Sequence, residues 1–314
     1  MKAASLYFLT MISACFLANV NAQTKWRLVD SAYGPLPKGF HVYKTTDSLD
    51  GKPNIAFYAI GKLKNKRLQF TTDTTLNRRL TPAKFYERNN KPLLVVNGTF
   101  FSFETNQNLN VVIKENKILS YNVRRIRQKS DTSKFHNENI IRGGFGISRK
   151  RKADIAWLIA DTSNPYPRAW QSPVANTNVY DSTNTNLPSK NWKMQTAIAG
   201  GPVLVQNNKI SVSNEQERMF TGKAILDKHP RTIIGYTGGG EIIIMVIQGR
   251  TPGSAEGATL TQSAKLMAEL GCVEALNLDG GGSSCMLING KQTIWPSDKG
   301  FERPVPAVFL IKTK

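Results

Sequence analysis

Short runs rich in Val, Ile and aromatic residues recur along the chain, with Gly, Asn and Pro between them. The clearest runs occupy residues 55–60, 93–96, 111–113, 155–159, 203–205, 232–236, 242–247, 273–278, 286–288 and 305–311. Runs of this length, bounded by turn residues, are typical of β-strands. Gly238-Gly239-Gly240, Asn207-Asn208 and Asn289-Gly290 supply hairpin turns. The pattern predicts an α+β fold, with a mixed, largely antiparallel sheet or sheets and a few packed helices.

Two segments carry helix signals. Thr81-Pro82 opens a helix that we expect over residues 82–88, because Pro is tolerated in the first turn. A second helix is predicted over residues 260–270, where apolar side chains recur at helical spacing. Thr259 and Gln262 have capping-box spacing, and Gly271 can end this helix.

The first 22 residues have the features of a signal peptide. Lys2 precedes an apolar run, and small residues lie just before Gln23. A second interpretation places lipid on Cys15 after cleavage of a lipoprotein box at residues 12–15. Simple cleavage is favoured, since a chain beginning at Cys15 would have an unusually apolar start. Both interpretations predict export, to the periplasm or the medium, with membrane contact only if Cys15 is lipidated. The remainder, residues 26–314, is predicted to be one domain, in which residues 26–90 could form a small N-terminal layer.

The chain carries a formal net charge of +20, which favours anionic partners without naming them. The densest basic runs lie at residues 124–129 and 149–152, and solvated loops or hairpin tips are their simplest interpretation. No basic patch is interleaved with aromatic residues, and no nucleic-acid-binding motif is present, so a nucleic-acid partner is not expected. An anionic small molecule or glycan fits the charge equally well.

Cysteine and histidine are scarce. After export, Cys272 and Cys285 remain, and we expect two buried free thiols rather than a disulfide. His41, His136 and His229 are too few and too scattered to predict a His-based metal site. The sequence establishes no cofactor, although Asp279 and neighbouring carbonyls could hold a hard cation such as Ca²⁺.

The most informative segment is the Gly-rich run that follows the strand predicted at 273–278. Asp279 stands at the strand end, immediately before Gly280-Gly281-Gly282 and Ser283. Glycines let a backbone approach a ligand closely and point successive N–H groups at an anion. The alternative is an Asp that closes a Gly-rich turn by bonding its own backbone. The run lacks the Lys of a nucleotide P-loop, and Cys285 breaks the nucleophile-elbow pattern.

Three further segments carry residues suited to the same chemistry. Arg231, in His229-Pro230-Arg231-Thr232, lies at a strand entrance where its planar fork could grip a phosphate, or simply form a surface ion pair. Asn97-Gly98 follows another strand and could bind a sugar hydroxyl or make a turn. Gly200-Gly201-Pro202 is most simply a bulge or bend. His229 is a candidate proton carrier, although a lone His is more often structural.

Together these segments resemble the phosphodiester glycosidase family. The matching elements are Asn97-Gly98-x-Phe100-Phe101, Gly200-Gly201-Pro202, Arg231-Thr232-x-x-Gly235 and Asn277-Leu278-Asp279-Gly280-Gly281-Gly282-Ser283. Gly249-Arg250-Thr251, Gly257, Pro296-Ser297-Asp298 and Arg303-x-Val305 match in order as well. The resemblance runs from about residue 90 to the C-terminus. It implies a hydrolase that cleaves the glycosidic C–O bond of a sugar-1-phosphodiester, such as a GlcNAc-1-phosphodiester, releasing free sugar and a phosphomonoester.

The resemblance implies roles for individual residues. The predicted catalytic residues are Asp279, Arg231 and His229. The predicted substrate-binding residues are Asn97, Gly98, Gly200, Gly201, Thr232, Arg250, Gly280, Gly281, Gly282, Ser283, Asp298 and Arg303. Two positions depart from the family pattern: Thr99 replaces a Gly, which would narrow the pocket, and Gln248 replaces an Asp.

The chemistry of the bond agrees with a site built around one carboxylate. The departing group is already a stable phosphate monoester, so strong general-acid help is less necessary than in glycosidases that use two carboxylates. Two other functions stay open at this point. One is a phosphodiesterase that cuts P–O, which the scarcity of metal-binding clusters disfavours. The other is a non-catalytic envelope module that binds anionic glycans.

Overall fold

The computed structural model describes residues 23–123, 125–127, 135–139, 141–174, 177–178 and 188–314. The signal segment, which includes Cys15, and residues 124, 128 and 129 of the first basic run therefore fall outside the described residues. In the described part of the chain, no helix has the length and apolar character needed to cross a bilayer.

The strands, in chain order, are β1 (Arg27–Leu28), β2 (Phe40–Thr45), β3 (Ala56–Lys62), β4 (Leu68–Thr74), β5 (Leu94–Asn97), β6 (Val112–Lys114), β7 (Lys117–Ser120), β8 (Arg125–Arg127), β9 (Phe135–Asn139), β10 (Arg142–Ile147), β11 (Ala153–Ile159), β12 (Arg168–Trp170), β13 (Thr177–Asn178), β14 (Lys190–Asn191), β15 (Thr196–Ala199), β16 (Val203–Gln206), β17 (Lys209–Ile210), β18 (Arg231–Thr237), β19 (Glu241–Ile247), β20 (Cys272–Asn277), β21 (Met286–Ile288), β22 (Lys291–Gln292) and β23 (Ala307–Thr313). The α-helices are α1 (Pro82–Arg88), α2 (Asn214–Glu217) and α3 (Leu260–Glu269), and short 3₁₀ turns cover Asp30–Tyr33, Gly222–Ile225 and Gly281–Ser283.

The strands form four sheets. An eight-stranded sheet has the order β1-β2-β3-β19-β18-β20-β16-β17, and a seven-stranded sheet has the order β14-β12-β11-β10-β15-β6-β7. A five-stranded sheet runs β22-β21-β5-β23-β4, and a small one runs β13-β9-β8. Every pairing among the described residues is antiparallel. The prediction of largely antiparallel sheets is confirmed. With 12% of residues helical and 40% in strands, the fold is more nearly all-β than the predicted α+β mixture.

The predicted turns and helices form as the sequence indicates. Asn207-Asn208 and Asn289-Gly290 have positive φ angles at both positions, as a two-residue hairpin turn requires. Helix α3 begins with a complete capping box, in which the Thr259 hydroxyl accepts from the Gln262 amide and the Gln262 side chain accepts from the Thr259 amide.

Strand β10 was not predicted, because its sequence Arg-Gly-Gly-Phe-Gly-Ile has low strand propensity. A methyl group added at Gly143, Gly144 or Gly146 would collide with side chains of Leu276, Leu158 or Trp192. Glycines in this strand therefore make room for large neighbours, a reason that lies outside the local sequence.

Residues 26–90 do not stack as a separate layer. Strand β3 pairs along its whole length with β19, and β4 pairs along its whole length with the last strand, β23. The first strands of the chain thus complete the two sheets built by its last strands.

The main apolar core lies between the eight-, seven- and five-stranded sheets. Phe40, Phe145, Trp157, Leu276 and Phe309 are each 1% exposed or less and belong to one continuous cluster. A second cluster packs α3 against the outer face of the eight-stranded sheet. Cys272 and Cys285 are buried free thiols, as predicted.

Buried carboxylates connect the eight- and seven-stranded sheets. Glu217 is fully buried and accepts from the amides of Gly143 and Val203 at 2.8 and 2.9 Å, and from the Trp157 indole at 3.0 Å. Glu274 accepts from the Ile155 amide and from the Tyr236 hydroxyl, both at 2.7 Å. Burial raises the pKa of Glu274 to about 7, although its hydrogen bonds favour the ionised form.

Removing the Glu217 carboxylate is expected to destabilise the fold. Glu217→Ala leaves buried amide and indole donors from both sheets without an acceptor, which we expect to lower the free energy of unfolding by about 3–5 kcal/mol. Urea denaturation measures the loss. The matched control is Glu215→Ala, an exposed position in the same helix, which should change stability by about 0.5 kcal/mol or less. Equal stability of the two variants would contradict the structural role of Glu217.

Candidate active site

The predicted Asp279 segment lies where three stretches of chain meet at the end of β20. The Leu278 amide donates to the Thr232 carbonyl at 2.8 Å, and the Asp279 amide donates to the Gly98 carbonyl at 3.0 Å. The Asn97 side chain donates to the Asp279 carbonyl at 2.6 Å. The backbone of Asp279 is therefore fixed by the ends of β5 and β18, and its side chain is left for other contacts.

The environment of Asp279 raises the pKa of its carboxyl to about 7. Burial is the main cause, since it disfavours the charged form. The Ser283 hydroxyl, the Arg303 guanidinium and the Gly280 amide all act in the opposite direction. A carboxyl with a pKa near 7 gains or loses its proton around neutral pH, which suits a group that must exchange protons during a reaction.

The glycines after Asp279 serve close packing rather than an amide cradle for an anion. The Gly281 amide donates to the Pro230 carbonyl at 2.9 Å, and the Ser283 amide donates to the Gly280 carbonyl at 3.1 Å. The expectation that the amides of 280–283 hold an anion together is therefore wrong for Gly281 and Ser283. Gly281 has φ +61°, and a methyl group there would lie 2.9 Å from the Arg250 guanidinium. A methyl group at Gly282 would collide with Arg303.

Two arginines lie against this glycine turn, and a third lies close to one of them. Arg250 and Arg303 lie against Gly281 and Gly282, and Arg250 is close enough to Arg231 to lower the pKa of the Arg231 guanidinium. Burial is the larger cause, and together they bring that pKa to about 10, so Arg231 stays charged at neutral pH. The segments that carry Arg231 and Arg250 can approach each other because glycines lie between them. Methyl groups added at Gly249 and Gly257 would collide with Pro230 and His229.

The charge of this cluster is only partly neutralised. Arg303 donates to the Asp298 carboxylate at 2.9 Å. Arg231 is 3% exposed and donates to the carbonyls of Ala258 and Asp227 at 2.9 and 3.2 Å. Among the described residues, neither Arg231 nor Arg250 forms an ion pair with a carboxylate. A site in which two arginines have no carboxylate partner is suited to a phosphate group.

His229 lies beside the arginines. Its backbone pairs with Ala258, and its ring Nδ1 is buried without a hydrogen-bond partner. Burial and the charges of Arg231 and Arg250 lower the pKa of the imidazole, and Asp227 opposes them only weakly. The ring is therefore neutral at pH 7 and retains an unused nitrogen, as a proton carrier needs.

Several predicted substrate-binding residues are buried within the protein. Asn97 is 0% exposed, and its side-chain oxygen accepts from the Thr232 hydroxyl at 2.8 Å and from the Cys285 amide at 3.1 Å. Thr232 is likewise 0% exposed. A methyl group at Gly98 would collide with Ile198. These three residues hold the Asp279 backbone, and in this structure they have no surface left for a sugar.

The same correction applies to Gly200 and Gly201, which lie behind the end of β20. The Gly201 amide donates to the Asn277 carbonyl at 2.8 Å, and the Asn277 side chain donates to the Gly201 carbonyl at 2.9 Å. A methyl group at Gly200 would lie 2.7 Å from the Asn277 carbonyl oxygen. Both glycines therefore allow two backbones to touch just before Asp279.

The two departures from the family pattern also have structural uses. The Thr99 hydroxyl donates to Asn108 at 2.6 Å and is 1% exposed, so it fixes the following loop and does not narrow a pocket. The side-chain oxygen of Gln248 accepts from the Trp295 amide at 2.9 Å, which ties the segment bearing Asp298 to the end of β19.

Aromatic side chains beside the arginines were missed by sequence reasoning. Phe103 is 64% exposed and lies under the Arg303 guanidinium, 5.5 Å from its ring centre. Phe220 lies 5.9 Å from the Arg231 guanidinium and packs edge-on against Phe100. The run Phe100-Phe101-x-Phe103 was available as a signal, but only Phe100 and Phe101 entered the prediction, as part of the family resemblance.

The chain is similar in sequence to several known proteins. A family model described as phosphodiester glycosidase matches residues 90–312. The N-acetylglucosamine-1-phosphodiester alpha-N-acetylglucosaminidase of Bos taurus is 24% identical over 207 residues, 64% of this chain and 32% of that protein. An SPbeta prophage-derived protein of Bacillus subtilis is 35% identical over 117 residues, 37% of this chain and 17% of that protein. The match thus spans about a third of the mammalian relatives' length.

Solved structures show the same fold. The zebrafish N-acetylglucosamine-1-phosphodiester alpha-N-acetylglucosaminidase catalytic domain, auto-inhibited by its pro-peptide, has a TM-score of 0.58 and 20% identity, covering 88% of this chain and 82% of that one. A hypothetical protein from Synechocystis has a TM-score of 0.62 and 14% identity, covering 92% of this chain and 64% of that one.

Proposed function

This chain belongs to the phosphodiester glycosidase family, and from that premise we propose that it hydrolyses the glycosidic C–O bond of a sugar-1-phosphodiester. The observation that carries the proposal is the glycine turn after Asp279, against which Arg250 and Arg303 lie. Arg303 is close enough to lower the pKa of the Asp279 carboxyl, and Arg231 lies close to Arg250. The names of the mammalian and zebrafish relatives specify an N-acetylglucosamine-1-phosphodiester, which makes that sugar the first substrate to try.

In the proposed reaction the arginines hold the phosphate while Asp279 acts at the sugar. The bond between the anomeric carbon and the phosphate oxygen breaks, and its electron pair leaves with the phosphate. The ionised Asp279 carboxylate stabilises the positive charge at the anomeric carbon and accepts a proton from the attacking water. The products are free sugar and a phosphomonoester, whose added negative charge the arginines stabilise. His229, neutral and with a free ring nitrogen, is proposed to carry the proton to solvent.

The direct experiment is incubation of the purified protein with a GlcNAc-1-phosphodiester, followed by product analysis. Free GlcNAc and a phosphomonoester are expected in equal amounts. GlcNAc-1-phosphate together with a free alcohol would instead indicate the P–O phosphodiesterase considered as the alternative. Binding without any product would favour a non-catalytic glycan-binding module. Export to the periplasm or the medium remains part of the proposal, and fractionation of cells that express the full chain tests it.

The pH profile should report the carboxyl of Asp279. Because the reaction uses its ionised form, kcat/KM is expected to rise with pH through a pKa near 7. Arg303 lowers this pKa, so Arg303→Met should move the rising limb to higher pH, whatever it does to the maximum rate. The control Lys265→Met, at an exposed position of α3, should leave the limb in place. A limb unaffected by Arg303→Met would exclude Asp279 as the titrating group.

Phe103 is proposed to contact the sugar ring or the aglycone. Its exposed face adjoins Arg303, so a ligand whose phosphate lies on that arginine reaches the ring. We expect Phe103→Ala to raise KM about 2- to 10-fold with little change in kcat, which corresponds to one lost aromatic contact. Ile210→Ala, exposed on an edge strand, is the control. An unchanged KM in Phe103→Ala would remove Phe103 from the binding surface.

A further inference from the structure

A second cationic site lies far from Asp279, around the turn that joins β3 to β4. Lys38, Lys62, Lys64 and Arg67 line a cleft of about 370 Å³, together with Gly39 and Asn65. No carboxylate contributes to the lining, and none of the four cations forms an ion pair among the described residues. Four uncompensated positive charges around one concave space repel one another and favour occupation by an anion.

The hairpin between β10 and β11 extends this positive surface. The Arg151 guanidinium donates to the carbonyls of Leu63, Asn65 and Leu68, the last two at 2.9 and 2.6 Å. This contact fixes the basic hairpin tip against the turn that carries Lys64 and Arg67, so Arg151 itself is structural. The Asn65 side chain donates to the Lys38 carbonyl at 3.1 Å and closes the cleft on its other side.

A neighbouring cleft of about 190 Å³ continues along the same face, with Arg149 and Lys314 among its lining residues. The Lys314 amide donates to the Arg67 carbonyl at 3.0 Å, so the walls of the two clefts are joined by a hydrogen bond. Glu115 lines the second cleft, and Glu241 lies opposite Lys62 on the paired strand. These two carboxylates leave the balance of the surface strongly positive.

This surface is separate from the candidate active site. Ile247 of β19 pairs with Arg231 of β18 on one side and with Ala56 of β3 on the other, so Ala56 is level with Arg231 in the sheet. From Ala56, β3 runs away from Arg231 to Lys62, which lines the cleft. At about 3.3 Å per residue, the six steps along β3 place the cleft about 20 Å from Arg231, at the opposite end of the sheet.

We propose that these joined clefts bind a linear anionic polysaccharide that carries charges at intervals along its chain. Two concave spaces in series suit an extended polymer better than a flat bilayer. Membrane-docking surfaces usually insert exposed apolar side chains, whereas Leu63 and Phe70 beside the clefts are 3% and 8% exposed. Single-stranded nucleic acids are held by aromatic stacking platforms, and no aromatic residue lines the larger cleft. The proposal does not depend on the chemistry at Asp279.

The test is equilibrium binding of the full chain to dextran sulfate, an anionic polysaccharide without sugar-1-phosphodiesters, compared with unmodified dextran. The site variant is Lys38→Glu, Lys64→Glu and Arg67→Glu combined, and the control combines Lys190→Glu, Lys209→Glu and Lys265→Glu. Both change the net charge equally and at exposed positions, so only a local site distinguishes them. We expect binding that falls with salt, is absent for unmodified dextran, and is about tenfold or more weaker in the site variant alone.

Other outcomes would overturn the proposal. If both variants lose binding equally, the overall charge of the protein and not the cleft determines binding. If the site variant binds as well as wild type, the cleft is not the binding site. Stronger binding to phosphatidylglycerol vesicles or to a single-stranded oligonucleotide would assign the surface to a different partner. If circular dichroism shows that the charge reversals impair folding, the milder combination Lys38→Gln, Lys64→Gln and Arg67→Gln is tested instead. It should show a smaller loss of binding in the same direction. Turnover of a small GlcNAc-1-phosphodiester is expected to be unchanged in every variant that folds.

Discussion

Asp279→Asn is expected to lower kcat about 10²- to 10⁴-fold, because the amide can neither accept a proton from water nor offset positive charge at the anomeric carbon. KM should change much less, since the arginines that hold the phosphate remain. Steady-state kinetics on a GlcNAc-1-phosphodiester measures both. Asp154→Asn is the matched control, because burial also raises the pKa of Asp154 but its partners are Trp192 and Gln171. Full turnover in Asp279→Asn would show that the chemistry lies elsewhere.

The same substitution should stabilise the protein at alkaline pH. The folded-state pKa of Asp279, about 7, lies above the usual value of 3.8. The folded state therefore holds the proton more tightly than the unfolded chain, and the stability this contributes is present below pH 4 and is lost as the pH rises through 7. An Asn avoids that loss, so Asp279→Asn should unfold at a higher temperature than wild type at pH 8 but not at pH 4. Loss of activity with a gain in stability would distinguish a catalytic effect from misfolding.

Arg231→Met is expected to lower kcat/KM about 10²- to 10³-fold, equivalent to about 2.7–4 kcal/mol of transition-state stabilisation. Arg231→Lys should recover little of this loss, because an ammonium group cannot bind the Ala258 carbonyl and a phosphate in the same planar geometry. Inhibition by a phosphomonoester product provides a second readout, and its inhibition constant should rise in both variants. Unchanged product inhibition would mean that Arg231 only supports the fold.

A second arginine keeps this prediction testable if Arg231→Met folds poorly. Arg231 is buried, and its removal leaves two backbone carbonyls without a donor. Arg250 is exposed beside the same glycine turn and can be replaced with less risk to the fold. Arg250→Met should weaken phosphomonoester inhibition in the same direction. Loss of stability without any change in inhibition would contradict the proposed phosphate site.

The sequence predicted most of the β-architecture because strand and turn signals are local. Val and Ile runs predicted strands such as β19, and Asn289-Gly290 predicted a hairpin. Strand β10 was not predicted because its glycines pack against Leu276 and Leu158, residues that do not adjoin it in sequence. The antiparallel pairing of β4 with β23 joins opposite ends of the chain, and no local pattern encodes it.

The sequence predicted which residues belong to the candidate site, but not which of them hold the backbone and which are free to contact a ligand. Asp279 and Arg231 were identified by residue type and position, and Arg250 and Arg303 by the family resemblance. Asn97 has the donors and acceptors that a sugar requires, yet folding directs them to Thr232 and the Asp279 backbone. A side chain's hydrogen-bonding capacity can be inferred from its type, whereas its partners depend on burial. For the same reason, the exposure of Phe103 beside Arg303 became apparent only in three dimensions.

Hydrolysis in oxygen-18 water tests the central claim most directly, because it identifies the bond that breaks at the Asp279 site. The account predicts that the label enters the anomeric hydroxyl of the released sugar and is absent from the phosphomonoester. Label in the phosphate, with none in the sugar, would contradict it.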